Sequence, residues 1–339
     1  MITLEDKKLT FRFPDVHPKA CLDISFLRTL RIPDDGETYP LPPGLDTFPL
    51  EHVDDHMSKV PGSWLKHGGV MLPMHQSEAM WIKFSSHQIT ERRQAYPFAI
   101  KIAAGKIDAV SGKPWTSTLN FDHQNYVVSP RQPWLDGFCV EEGTIRQFVA
   151  MPLGEGYTVE EQLVDGAYTG GLQIQVYPMK REAFEERYPE KQDPFLEQPY
   201  VFYSIVDTPK LSMGLGAGGK MKQEIKADPY EPEEWALETS SRCFVHLANS
   251  QAWQAITGSK PPTKPLSAAQ YSDHKLPWFD HYSEGPNVTC MDILSGVKSV
   301  NEIAETKGLT LLENDSVDVD RVIKLRSKYD TDQVREGEF

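Results

Sequence analysis

Long apolar runs are missing from this sequence, and so are runs of basic residues. No window approaches the roughly 18 consecutive apolar residues that a membrane-spanning helix needs. Lys and Arg never occur more than two in a row, and the formal net charge is −14, which repels a polyanion. The first residues also lack the basic and apolar segments of a secretory signal. We therefore expect a cytoplasmic protein that binds neither nucleic acid nor membranes.

Closely spaced cysteines are absent as well. The four cysteines, Cys21, Cys139, Cys243 and Cys290, are each separated by dozens of residues. That spacing fits neither a disulfide-rich scaffold nor a zinc ribbon. Reduced and mostly buried thiols are the expectation, and no cofactor is predicted.

What the sequence does contain favours strands. Aromatic residues make up 10% of the chain, beside 26 prolines and 23 glycines. Short strand-like runs follow one another without regular long helices between them, which disfavours parallel α/β folds. The strongest hairpin signal is WLDGFCV and IRQFVAMPL on either side of EEGT. We predict an α+β fold, β-rich and mostly antiparallel, sandwich- or barrel-like, with short peripheral helices and a helical C-terminal tail.

Composition divides the chain into four stretches. Residues 1–48 are proline-rich and predict a wrapping arm; residues 49–190 predict a β-rich half. Residues 191–285 predict a second, α+β half, and residues 286–339 a helical acidic tail that includes an amphipathic helix over 316–330. The two halves form either two domains or one.

The stretch GLGAGGKM resembles most of a phosphate-binding loop, with Gly214 followed by Gly219 and Lys220. Such a loop also needs Ser or Thr after the lysine and a helix leading out. Met221 stands at that position, and the next residues alternate like a strand. A flexible surface loop is the preferred interpretation, with a looser anion-binding nest as the alternative.

Histidines give two weak signals. His52 and His56 lie four residues apart on a helix predicted over Leu50–Val60, and two imidazoles on one helical face can bind zinc. Val53 occupies the position where a metalloprotease helix has glutamate, so adventitious binding is preferred. His246 is three residues from Cys243 on a strand, hence on the opposite face, and we expect a buried, hydrogen-bonded histidine.

Two Asp-His steps, Asp122-His123 and Asp280-His281, lie beside aromatics in turn-prone sequence. If the two segments meet, they form a carboxylate–imidazole cluster suited to acid–base work or metal binding. A structural role in loops is the preferred interpretation.

The densest mixture of aromatic, glycine and polar residues lies between Ser129 and Gln162. Its candidate pocket residues are Arg131, Trp134, Asp136, Arg146 and Gln147. Because alternate strand residues face opposite ways, Arg146 and Gln147 cannot enter the same pocket. An aromatic–proline packing cluster is the preferred alternative.

The runs PWLDGFCVEEGTIRQFVAMPLGEGYTVEEQ, GGLQIQVYPMK, GAGGKMKQ and LPWFDHY resemble a family of uncharacterised, mainly bacterial proteins. The resemblance extends from about Phe48 to Tyr282. It implies a bacterial-type cytosolic protein and carries no activity, ligand or catalytic residue.

Three functions follow from these patterns. A non-enzymatic binding or self-assembling protein is preferred, because every catalytic motif is incomplete. The first alternative is a hydrolase or lyase with a scattered Asp/His site, with or without a divalent metal. The second is a phosphate or nucleotide binder through residues 214–220. A homo-oligomer or a protein partner is compatible with the first function.

Overall fold

The computed structural model describes residues 1–166, 168–190, 212–282 and 285–326. The predicted strand YVFYSIV, the predicted boundary segment after residue 190 and the end of the tail lie outside these residues. No helix in the described ranges is long and apolar enough to cross a membrane.

Strands dominate the architecture, and their bounds are β1 Ile2–Glu5, β2 Lys8–Arg12, β3 Cys21–Thr29, β4 Thr38–Tyr39, β5 Gly44–Thr47, β6 Glu51–His52, β7 Val70–Met74, β8 Ala79–Ser86, β9 Gln88–Ile89, β10 Gln94–Ala95, β11 Phe98–Ala104, β12 Ile107–Asp108, β13 Val127–Ser129, β14 Trp134–Leu135, β15 Gly137–Glu141, β16 Thr144–Pro152, β17 Leu172–Pro178, β18 Ser212–Lys222, β19 Ser241–Asn249, β20 Trp278–Tyr282 and β21 Val322–Arg326.

The α-helices are short, and their bounds are α1 Gly62–His67, α2 Val159–Leu163, α3 Arg181–Arg187, α4 Ser250–Thr257, α5 Ala268–Asp273, α6 Asp292–Ser295 and α7 Val300–Thr306. Their ends follow the local sequence. The Thr158 and Ser299 side chains cap α2 and α7 in capping boxes with Glu161 and Glu302, a pattern of Ser or Thr followed three residues later by Glu. Asn249 caps α4, and Gly258 ends it in a left-handed conformation.

One sheet joins 17 of the 21 strands in the described residues. Antiparallel pairs run from β3 through β8, β16, β18, β19, β17 and β11 to β13. β14, which follows β13, pairs back with β8, so the ladder returns on itself. In the described part, the parallel pairs are β4–β18, β7–β19 and β20–β21. The predicted α+β, β-rich and mostly antiparallel class is confirmed, and so is the β15–β16 hairpin.

Strands from the two sides of residue 190 pair directly with each other. β18 pairs with β16 over most of its length, and β19 pairs with β17. A single hydrophobic cluster draws residues from both sides, because the inward faces of these strands pack together. Whether either half folds alone stays a prediction.

The N-terminal stretch does not form a wrapping arm. β3 is a nine-residue strand paired with both β2 and β8, and Phe11, Leu22, Ile24 and Phe26 are completely buried. The prolines that suggested an arm lie between the strands. The alternating residues of β2 and β3 enter the core, which is why proline content was a poor guide here.

The glycine-rich segment is a buried strand, so the predicted flexible surface loop is wrong. β18 passes close to other chain segments, and a Cβ added at Gly219 would lie 2.1 Å from the Pro33 carbonyl oxygen. At Gly218 the added atom would lie 2.5 Å from a Val149 methyl group. These glycines permit close backbone approach rather than flexibility.

Two predicted helices are wrong. The segment over Leu50–Val60 contains β6 and a single 3-10 turn, Val53–His56. An isolated segment of this length between two prolines gains too few hydrogen bonds to stay helical. In the tail, α7 is helical, but the residues from Val322 to Arg326 form β21 instead of the predicted amphipathic helix.

Candidate functional site

Three segments meet around an open groove of about 320 Å³. The loop Leu41–Gly44 is joined to β20 by two backbone hydrogen bonds between Leu41 and Phe279, of 2.8 and 2.9 Å. β14 pairs with β8, and β21 pairs with β20. The groove lies between this loop and these two pairs of strands. It is lined by Leu41, Pro42, Pro43, Gly44, Trp81, Trp134, Asp136, Phe279 and Leu325.

Aromatic rings form the walls of the groove. Trp81 and Trp134 stand edge to face, with ring centroids 6.1 Å apart and an interplanar angle of 82°. Both rings and that of Phe279 are only partly buried, so each offers surface to the groove. A Cβ on Gly44 would lie 3.0 Å from the Trp81 ring, so the missing side chain gives this ring its room.

Asp136 is the single charged side chain in the lining, and it is 5% exposed. The Gln223 amide donates to its Oδ2 at 2.5 Å, and the Asp136 backbone N–H donates to Gln223 Oε1 at 2.9 Å. Burial raises the Asp136 pKa to about 7, against the opposing effect of hydrogen bonds from Gln223 and Trp134. The groove therefore contains a carboxyl group that changes charge near neutral pH.

A second, much smaller cavity adjoins the groove through Leu41 and Trp134. Arg131, Lys226 and His281 are among its lining residues. Its volume is about 20 Å³, enough for one water molecule and too little for an anionic group. The His281 ring packs against Trp134 with centroids 4.6 Å apart, which fixes the far side of the indole.

The structure thus brings together Arg131, Trp134, Asp136 and His281 from the predicted candidates. It separates the others. Gln147 is buried and bridges the backbone of Leu30 and Ile32, whereas Arg146 forms an ion pair with Asp34 at 3.3 Å. As expected, these two neighbours serve different faces, and both roles are structural.

The Asp-His steps do not form a cluster of metal-binding geometry in the described residues. Asp122 and His123 are exposed in a loop, where the Asn120 side chain accepts from the His123 backbone N–H. Asp280 and His281 lie on β20. His281 reaches the lining of the small cavity beside the groove.

The remaining candidates have local partners. His246 is buried, with Nε2 2.9 Å from the Gly68 carbonyl oxygen and its ring stacked on Trp64, which confirms the predicted buried histidine. Burial lowers its pKa to about 4. His56 forms a 2.6 Å contact with Glu51, and His52 lies in β6, so the predicted helical pair does not form.

Gly214, Gly219 and Lys220 all lie in β18, where backbone groups pair with β16. Lys220 Nζ lies 3.3 Å from a Glu141 oxygen. A phosphate loop requires free backbone amides ahead of a helix, and a paired strand does not offer them.

Three features of the structure are not predicted from the sequence. Cys139 and Cys290 form a disulfide with a Cα–Cα distance of 5.7 Å, so the expectation of reduced thiols is wrong for this pair. The 151-residue separation hides it, because only the fold brings the two together. Cys21, Asp23 and His87 form a compact cluster, and Arg28 forms a buried ion pair with Glu78.

Comparison of the chain with protein-family models, with curated proteins and with solved structures finds no match. The resemblance to a bacterial family therefore stays a prediction. The groove has to be interpreted from its own chemistry.

Proposed function

We propose that this chain is a non-enzymatic binding protein whose aromatic groove binds a small organic cation. The observation that carries the proposal is a buried carboxyl group, Asp136, that lines the same groove as two perpendicular tryptophan rings. Aromatic faces attract ammonium groups through the ring quadrupole, most strongly when water is excluded. The ionised carboxylate adds a full charge of the complementary sign.

The size and lining of the groove support a small ligand. Ligand pockets in proteins measure about 300 to 1,000 Å³ and combine apolar and aromatic walls with a few polar groups. This groove lies at the lower end of that range and has one carboxyl group in a largely apolar lining. The net charge of −14 also favours cations over anions near the surface.

The exposed Lys83 is a positive charge near the groove. It lies opposite Trp134 in the β8–β14 pair and outside the lining. Solvent screens such an exposed charge, so its effect on a ligand cation is small. Replacing Lys83 with a neutral residue should strengthen cation binding slightly, which checks that the groove prefers a positive charge.

Calorimetric titration with choline and its neutral carbon isostere, dimethylbutanol, tests the proposal at pH 8. Choline should bind, and the isostere should bind at least tenfold more weakly, as a cation–π and ion-pair difference of about 1.4 kcal/mol or more requires. Trp134→Ala and Asp136→Asn should each weaken choline binding by a similar factor. Trp115→Ala, a half-buried tryptophan packed on Lys101, is the matched control and should leave it unchanged.

Equal affinity for choline and the isostere would overturn the cation preference, and so would undetectable binding of both. The pH dependence gives a second check. Choline affinity should fall as the pH drops from 8 to 6, because Asp136 takes up a proton around pH 7. In Asp136→Asn this dependence should disappear.

A second candidate function is the predicted hydrolase or lyase, now centred on Asp136. A carboxyl group with a pKa near the working pH, placed in a cleft, suits general acid–base catalysis. Incubation of wild type and Asp136→Asn with a mixture of small cationic esters and amines separates the two functions. Substrate loss with wild type alone would favour the enzyme, and binding without loss favours the binding protein.

A cytoplasmic location is part of the proposal and is supported by the free thiols of Cys21 and Cys243. The Cys139–Cys290 disulfide favours an oxidising compartment instead. Alkylation and mass spectrometry of the protein from its native cells decides between them. Native mass spectrometry of the same sample tests the predicted self-assembly.

A further inference from the structure

The β3–β8 ladder brings three metal-ligand side chains to one place, far along the strands from the groove. Cys21 and Asp23 are alternate residues of β3, so both side chains lie on the same face. Leu22 pairs with Ser86, which places His87 opposite Cys21. The His87 backbone N–H donates to the Cys21 carbonyl at 2.9 Å and fixes this register.

The ligand atoms are already close to a coordination geometry. His87 Nε2 lies 3.1 Å from Asp23 Oδ2 and 3.6 Å from Cys21 Sγ, and all three atoms lie within 4.8 Å of one another. Zinc bond lengths of about 2.0 to 2.3 Å in a tetrahedron imply ligand–ligand separations of roughly 3.3 to 3.7 Å. Small side-chain rotations are therefore enough to surround one ion.

The two carboxylate oxygens of Asp23 have different hydrogen-bond partners. The Thr10 hydroxyl donates to Oδ1 at 2.8 Å, while Lys8 Nζ contacts Oδ2 at 2.7 Å. In metal sites, a hydrogen bond to the oxygen that does not bind the metal orients a ligating carboxylate, and the Thr10 hydroxyl is placed to do this for Asp23. Lys8 is one-third exposed, so its ammonium can turn into solvent when a cation takes its place.

One side of the cluster is open. Cys21 and Asp23 are buried, but 46% of the His87 side chain is exposed. Three protein ligands with an open fourth position are the arrangement of zinc sites that keep a water molecule. A thiolate together with an imidazole favours zinc over the harder ions calcium and magnesium.

We propose that Cys21, Asp23 and His87 form a zinc site with one open coordination position. The other histidine candidates do not compete as a cluster. His56 contacts Glu51, and in the described residues Cys21, Asp23 and His87 are the group of three such ligands that converges. The site is independent of the groove, so either proposal stands without the other.

The test uses the full chain, freed of metal with a chelator and kept under inert gas without added thiol, so that Cys21 stays reduced and the Cys139–Cys290 disulfide stays closed. Cobalt(II), a spectroscopic substitute for zinc, should give a thiolate-to-metal charge-transfer band that saturates at one ion per chain. Zinc should displace it and should raise the melting temperature of the metal-free protein. Cys21→Ser should abolish the band, and His87→Ala and Asp23→Asn should weaken zinc binding at least tenfold.

Two matched variants keep the result interpretable. Cys243→Ser removes the other free buried thiol and should leave the band and the affinity unchanged. Lys8→Ala removes the competing ammonium and should tighten zinc binding at least threefold, an effect that a misfolded variant would not produce. A cobalt spectrum without the thiolate band, or a band that persists in Cys21→Ser, would overturn the proposal.

Discussion

Two buried carboxyl groups in this protein have opposite surroundings. Glu78 accepts a 2.5 Å hydrogen bond from Arg28 Nε and a 2.8 Å bond from the His75 backbone N–H. The Arg28 guanidinium also donates to the Thr263 carbonyl and lies over the Phe48 ring. Asp136 is equally buried, but its hydrogen-bond partners, Gln223 and Trp134, are neutral.

This difference in partners indicates a structural role for the Glu78 charge and a ligand-binding role for the Asp136 charge. Burial raises the pKa of both groups, and at Glu78 the Arg28 charge opposes that effect. A buried charge with a hydrogen-bonded counter-charge is compensated within the fold. At Asp136 the compensating charge is left for whatever enters the groove, which is the physical basis of the proposed cation site.

Breaking the compensated pair should have the largest effect. Arg28→Met removes the guanidinium and leaves Glu78 buried beside an apolar chain. We expect a loss of about 3 to 5 kcal/mol in the free energy of unfolding at pH 7. Urea denaturation measures it, and Arg28→Met combined with Glu78→Gln should recover much of the loss. A loss below about 1 kcal/mol would contradict the contrast with Asp136.

Removing the uncompensated charge of Asp136 should raise the free energy of unfolding. The folded-state pKa of Asp136, about 7, lies above the 3.8 that is ordinary for an aspartate, so stability falls as the pH rises between these values. Asp136→Asn keeps an acceptor for Gln223 and removes this penalty. At pH 8 it should gain about 3 to 4 kcal/mol in unfolding free energy, and at pH 4 little.

Thermal melting of Asp136→Asn and wild type at both pH values checks this expectation. Asp122→Asn, at an exposed carboxyl, is the control and should not shift the melting temperature at either pH. Equal stabilisation at pH 4 and pH 8 would show that the effect comes from packing and not from charge.

Replacing Gln223, a neutral hydrogen-bond partner of Asp136, should have the smallest effect on the free energy of unfolding. Gln223→Leu removes the donor to Oδ2 and the acceptor for the Asp136 backbone N–H. We expect a loss of about 1 to 2 kcal/mol at pH 5, where the carboxyl is protonated. The pKa of Asp136 should rise further, which carbon-detected NMR titration of the carboxyl measures. An unchanged pKa would contradict the role given to Gln223.

Local signals in the sequence predicted local structure well. The predicted β15–β16 hairpin is confirmed, and the capping boxes at Thr158 and Ser299 and the Asn249 cap likewise depend on residues a few positions apart. The segment over Leu50–Val60 shows the limit of this approach. Its apolar residues have helical spacing, but a short helix between two prolines is less stable than the pairing of β6 with β7.

The candidate site could be predicted only in part. Trp134 and Asp136 stood out because aromatic, glycine and polar residues are concentrated around them. Trp81, Phe279 and Leu325 could not be joined to them, because the groove forms where β8, β14, β20 and β21 meet. The glycines of β18 predicted a surface loop for the same reason, because their role depends on the segments that pack against this strand.

By itself, the sequence determined the β-rich class, the turns and the caps, since these follow from interactions between residues a few positions apart. Tertiary structure alone decided the charge properties and the partners of the side chains. The pKa of Asp136, the Cys139–Cys290 bond and the Cys21–Asp23–His87 cluster arise from strand register and burial. Those quantities depend on residue pairs such as Cys21 and His87, 66 positions apart, and Cys139 and Cys290, 151 positions apart, which a single sequence does not bring together.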